Sequence, residues 1–139
     1  MSLRFLLDTD ALSEPLKPKP NARFLRRLRE HEEHVAIASV TWHEALYGLH
    51  RLPAGKRQQQ VYGYLFDVIH AALPILPYDA AAAEWHAAER ARLGAAGRTA
   101  PFADGQIAAV AKVHGLAIVT ANRAHYEHFD GMTLDDWWR

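Results

Sequence analysis

The chain has 139 residues, half of them hydrophobic, with 16 basic and 16 acidic side chains. That length and apolar content suit one domain with its own core and exclude a disordered chain. Zero formal net charge and the lack of cysteine exclude capture of a polyanion by the overall field, disulfides and thiolate metal sites.

In chain order, residues 4–7 read as a short apolar strand. The stretch Glu14-Pro15-Leu16-Lys17-Pro18-Lys19-Pro20 reads as a loop, because its prolines break regular structure. Asn21 is placed to cap a helix in which Phe24, Leu25 and Leu28 share a face, ending near Glu30 or His34. Residues 35–38 make a second strand. Ser39 or Thr41 is expected to cap the next helix, which runs through Glu44, Leu46 and Leu49 to the break at Pro53-Ala54-Gly55. A third helix is predicted from about Lys56 to Ala71, with Val61, Tyr64, Leu65, Val68 and Ile69 inward. Pro74-Ile75-Leu76-Pro77 is a short strand whose prolines suit a sheet edge.

Ala80 to Leu93 is a strong helix with an alanine run for close packing, and residues 94–101 are a loop. A small, Ala-rich helix follows over 103–114, with Gly115 as its stop. Leu116-Ala117-Ile118-Val119-Thr120 is the clearest buried strand, and Met132-Thr133-Leu134 a last edge strand. Strands alternating with helices predict an α/β fold: one domain over 1–139 with a central, mostly parallel sheet flanked by helices. The opening residues lack the long apolar core of a signal peptide, and no apolar run is long enough to span a bilayer. A cytoplasmic protein is therefore expected.

Three carboxylates fall at predicted element junctions: Asp8 after the first strand, Glu44 early in the helix after the second, and Asp104 at the start of the Ala-rich helix. Ligands of an open parallel sheet bind outside the carboxyl ends of its strands. Acids gathered there repel one another unless a cation neutralises them, and Mg²⁺ or Mn²⁺ prefers oxygen ligands. Metal-assisted phosphodiester hydrolysis is the leading expectation. Each acid also has a plain structural role open to it. Asp8 can close a turn or cap a helix, Glu44 can complete a capping box with Thr41, and Asp104 can act as an N-cap. Asp10 can be a second acid beside the site or a cap. Thr120 and Asn122 can hydrogen-bond a bound water or a phosphate, or form a turn. His31-Glu32-Glu33-His34 has the wrong spacing for a helical zinc motif. Most of the nine histidines are expected on the surface, and the tryptophans in the core or an interface. Asp8-Thr9-Asp10 after a strand also resembles the start of a dehalogenase-type phosphatase, with Asp8 as nucleophile. Leu12 departs from that pattern.

Four segments taken together resemble one family. They are Leu6-Leu7-Asp8-Thr9-Asp10-Ala11-Leu12-Ser13-Glu14, Ser39-Val40-Thr41-Trp42-His43-Glu44-Ala45-Leu46-Tyr47-Gly48, Phe102-Ala103-Asp104-Gly105-Gln106-Ile107-Ala108-Ala109 and Ile118-Val119-Thr120-Ala121-Asn122. Their order and spacing resemble a PIN-domain nuclease, specifically the VapC or FitB-like toxins of bacterial type II toxin–antitoxin pairs. The resemblance covers essentially the whole chain. It implies a Mg²⁺- or Mn²⁺-dependent endoribonuclease, with Asp8 and Asp104 as principal metal ligands and Glu44 completing the acidic cluster and orienting a water. Thr120 and Asn122 match the polar end of the fourth strand. Many members carry a fourth acid shortly after that Asn; here His125 occupies the place, where it is a candidate phosphate contact, and Glu127 or Asp130 are possible substitutes. Arg98 and Arg123 are candidates to hold an RNA backbone.

The resemblance also implies a homodimer and a cognate VapB-like antitoxin. The sequence adds a physical reason, since Tyr62 and Phe66 lie four apart on a face distinct from Leu65 and Val68. A helix apolar on two sides usually marks an interface. The alternative is that this second face packs under the loop near Pro53. A non-catalytic binding protein, whose acids only receive a partner's arginine, is the remaining rival.

Overall fold

In a computed structural model describing residues 2–139, five strands form one sheet in the order β3-β2-β1-β4-β5. They are β1 (Phe5–Leu7), β2 (Val35–Ala38), β3 (Ile75–Leu76), β4 (Ala117–Val119) and β5 (Leu134–Asp135), and every pairing is parallel. Parallel strands need long crossovers, and the helices supply them: α1 (Thr9–Ser13), α2 (Ala22–His31), α3 (Ser39–Arg51), α4 (Lys56–Gly63), α5 (His70–Ala72), α6 (Ala80–Ala95) and α7 (Phe102–His114).

The central strand β1 is buried throughout, and its alternation divides the core into two layers. Leu6 faces a cluster built from α6 and α7, with Ala108, Ala109 and Ala111 fully buried. Phe5 and Leu7 face the other layer, with Leu12, Phe24, Leu65 and Trp137. Burial of each such large side chain contributes roughly 1.5–3 kcal/mol relative to exposure. The C-terminal Trp137 is fully buried between Phe5 and Phe24. Trp138 donates its indole N–H to buried Glu14 (2.7 Å), which also accepts from the Asn21 backbone N–H (3.0 Å) and pairs with Lys17 (2.9 Å). Burial pushes the Glu14 carboxyl up, but these donors outweigh it and hold its pKa below the usual range.

Asn21 caps α2 as the sequence indicates, accepting from Phe24 N at 3.0 Å. Gly115 ends α7 in the left-handed region at φ +66°, where a Cβ would be strained. Several expectations are corrected. The proline-rich stretch is not all loop, since Glu14–Leu16 form a 3-10 turn that puts Pro15 where its missing N–H costs nothing. Ser39 and Thr41 do not cap α3. The helix begins at Ser39, Ala38 is its cap, and Thr41 lies buried with no hydroxyl partner among the described residues. Val68 is 53% exposed rather than inward. Residues Tyr64–Ile69 are π-helical, and the wider turn advances each residue by a smaller angle, so Val68 falls outside the apolar face while Leu65 and Ile69 stay in it. His86 is buried against α7, an exception among the histidines.

Candidate active site

The strand order reverses its sense of winding between β1 and β4, and that is where an open parallel sheet leaves a crevice at its carboxyl edge. Leu7 and Val119 are register partners, so Asp8 and Thr120, each one residue further, leave the sheet side by side. Asp8 caps α1, accepting from Ala11 N at 2.8 Å. It is also buried at the floor of a cleft of about 190 Å³, lined by Asp10, Glu44, Asp104, His125 and Tyr126 among others. The cap and the cleft position are compatible, because a carboxylate has more lone pairs than its two donors, Ala11 N–H and the Thr120 hydroxyl, take up.

Glu44 reaches the cleft from the second turn of α3, not from a capping box. Its Oε1 accepts the Thr9 hydroxyl at 2.9 Å, across 35 residues of sequence. Asp104 arrives from the first turn of α7, where Pro101 rather than Asp104 is the cap. The positive end of that helix favours a carboxylate there. His125 sits with Nδ1 3.8 Å from Asp104 Oδ2, an ion pair whenever the imidazole is protonated.

The electrostatics are those of a site short of positive charge. Burial pushes the Asp8 carboxyl up to about 6, against the opposing hydrogen bonds from Thr120 and Ala11. Burial also raises Asp104, with His125 pulling it down and Glu44 pushing it up. Buried Tyr126 is raised well above the usual phenol range by burial and then by the acids facing it. A cation would relieve all of these at once.

Among the described residues, no three His, Asp or Glu side chains stand close enough to enclose a metal ion as they lie. The donor set nonetheless suits Mg²⁺ or Mn²⁺. It is all oxygen apart from His125, and Mg²⁺ is commonly held by one or two carboxylates with waters completing its shell. Asp8 and Asp104 meet that requirement.

The structure thus brings Asp8, Glu44, Asp104 and His125 to one cleft. Thr120 is buried beneath it, bonded to Asp8 and accepting Asn122 N at 2.9 Å. Asn122 is exposed and outside the cleft lining; its carbonyl accepts His125 N (3.1 Å) and so starts the turn that presents His125. Asp10 lines the cleft as well. Thr9 and Tyr126 were not legible as site residues. Thr9 earns its place by the contact with Glu44, and the only sequence signal for Tyr126 is an aromatic residue beside His125.

A family model described as PIN domain matches residues 5–130. The chain is 34% identical over 135 residues to the tRNA(fMet)-specific endonuclease VapC of Shigella flexneri, covering 97% of this chain and 98% of that protein. It is 33% identical to toxin FitB of Neisseria gonorrhoeae, covering 95% of this chain and 97% of that one. The crystal structure of FitAcB from Neisseria gonorrhoeae superimposes with a TM-score of 0.89 at 32% identity, covering 97% of this chain and 99% of that chain. The dehalogenase-type alternative is left without support.

Proposed function

The chain belongs to the PIN-domain family, and on that footing we propose that it is a metal-dependent endoribonuclease, the toxin of a type II toxin–antitoxin pair. The observation that carries the proposal is the cleft at the sheet's switch point, where Asp8, Asp10, Glu44 and Asp104 converge. A Mg²⁺ or Mn²⁺ ion held by Asp8 and Asp104 would neutralise phosphate charge and acidify an attacking water. Glu44, fixed by Thr9 and exposed to solvent, orients that water and accepts its proton. The water oxygen bonds to phosphorus as the bond to the 3′ oxygen breaks. The leaving oxygen takes a proton from solvent, giving a 5′-phosphate end. Thr120 holds Asp8 in position, and His125 contacts the phosphate beside Asp104.

The Shigella relative is named for tRNA(fMet), so a folded tRNA joins single-stranded RNA among substrates to test. A cytoplasmic location, a cognate antitoxin and a homodimer belong to the same proposal. No helix among the described residues is long and apolar enough to cross a membrane. Tyr62 is 54% exposed, whereas Phe66 is half buried against Trp42. Tyr62 is therefore the better residue to replace when sedimentation is used to test the dimer.

The deciding experiment compares wild type with Asp104→Asn on RNA in the presence of Mg²⁺. Cleavage by wild type, absent with EDTA and in the variant, is expected. Equal cleavage by both proteins would reject the site. Growth inhibition that survives Asp8→Asn would favour the non-catalytic binding protein.

A further inference from the structure

A second hollow lies along α6, beside the loop that leads into α7. It has a volume of about 230 Å³, a floor of His86, Leu93 and Phe129, and a rim that includes Arg90, Arg98 and Thr99. Ligand sites for drug-sized molecules start at roughly 300 Å³, so this hollow suits a single flat ring.

The two arginines distinguish it from a packing defect. Among the described residues, neither Arg90 nor Arg98 makes an ion pair or a side-chain hydrogen bond. Arg92 on the same helix does the opposite, gripping Glu89 through two hydrogen bonds of 2.8 Å and the His128 carbonyl at 3.0 Å. The guanidinium of Arg90 instead stands 5.2 Å from the ring centre of Phe102. That ring is 50% exposed, and its centre lies 4.9 Å from that of the tilted His86 imidazole. Burial and the neighbouring Arg90 lower the His86 pKa, so the imidazole presents a neutral aromatic wall.

The hollow and the acids are joined through one helical turn. Phe102, Asp104 and Gly105 all lie in the first turn of α7. His86 packs directly onto Gly105, while Asp104 faces the cleft. Phe102 precedes Asp104 by two residues in that turn, and a helix with side chains is about 10 Å across, so the ring stands within roughly one helix diameter of the acidic cleft. An acidic cleft repels the polyanion it must cut, and a chain with no net charge needs a local cationic patch to hold it.

We propose that this hollow is a nucleotide subsite of the RNA substrate. One unpaired base sits at the edge of the hollow, taking the place of the Arg90 guanidinium over the Phe102 ring beside His86, and Arg90, displaced, and Arg98 hold the flanking phosphates. The assignment rests on the ribonuclease reading and adds to it the place where substrate outside the scissile bond is gripped. Stacking platforms combined with guanidinium groups are how single strands are generally bound.

The test uses Phe102→Ala, Arg90→Ala and Arg98→Ala, none of which touches the acidic cluster. Each is made in the full chain, for cleavage, and on an Asp8→Asn background, for binding of a labelled single-stranded RNA decamer. Phe102→Ala is expected to weaken binding at least about fivefold, the lower end for losing one base–aromatic stack. It should leave the salt dependence unchanged. Each arginine variant should weaken binding and flatten the plot of log K against log salt by about 0.7, as expected for one lost phosphate contact on a single strand. In cleavage, all three should raise KM and leave kcat within about twofold, because they hold substrate in the ground and transition states alike.

A wild type that cleaves and three variants that match it in Kd, salt slope and KM would overturn the subsite and leave the ribonuclease reading standing. A wild type that neither binds nor cleaves RNA would overturn both. Variants that keep RNA binding but lose dimerisation or antitoxin binding would make the hollow a protein-docking surface, and the subsite would be wrong.

Discussion

Replacing Asp8 by Asn should abolish cleavage and at the same time make the metal-free protein more stable. Asp8 is 3% exposed, and its carboxyl is pushed up to about 6 from an ordinary value of 3.8. At about 1.4 kcal/mol for each tenfold change in acidity, ionising it costs the fold roughly 3 kcal/mol. Asn keeps an oxygen to accept Ala11 N and an amide to meet Thr120, so the cap survives without the charge. The folded state holds the Asp8 proton more tightly than the unfolded chain does. Wild type therefore loses stability as pH rises from about 4 through about 6, and the variant does not. For a chain of this length roughly 3 kcal/mol corresponds to a rise in Tm on the order of 8 °C. Thermal melts in EDTA should show that gap at pH 8 and none near pH 3.5. Adding Mg²⁺ should raise the Tm of wild type only, because only the folded, charged site binds it. An Asp8→Asn protein that melts at or below wild type in EDTA at pH 8 would show that burial of this charge is not a cost, and the electrostatic account of the cleft would fail.

Gly105→Ala should destabilise the protein by roughly 1–3 kcal/mol, because the new Cβ would meet His86 Cδ2 at 2.8 Å and Cε1 at 2.9 Å, with Nε2 closer still. Adding His86→Ala should recover part of that loss in a denaturant titration, and no recovery would point to backbone rather than side-chain strain. Glu14→Ala should cost roughly 2–3 kcal/mol by leaving the Trp138 indole N–H and Asn21 N–H without their acceptor. Because the folded Glu14 pKa lies below its usual value of 4.5, this contribution is full above that value and is lost as pH falls through the depressed one. Urea midpoints of the two proteins that stay equally far apart down to strong acid would contradict it. Thr41→Val removes a buried hydroxyl that has no partner among the described residues and should stabilise by about 1 kcal/mol; a loss of stability on melting would mean that the hydroxyl is satisfied.

By itself, the sequence determined most of the elements and pointed to the acids that meet in the cleft. Period, caps and breakers are local, so Asn21, Gly115 and the apolar strands could be read where they stand. Asp8, Glu44 and Asp104 could be named because each follows a strand or opens a helix on the side where parallel sheets meet ligands. Tertiary structure decided what depends on contacts across long separations. Register between β1 and β4 set Asp8 beside Thr120, and no local pattern encodes that register. The contact of Thr9 with Glu44 spans 35 residues. The outward turn of Val68 follows from a π-helical stretch with the same residue types as an α-helix. Burial, which makes Asp8 hard to ionise and hides His86 behind Gly105, belongs to the assembled layers alone: a side chain's charge is written in the sequence, but its dielectric surroundings exist only once the chain has folded.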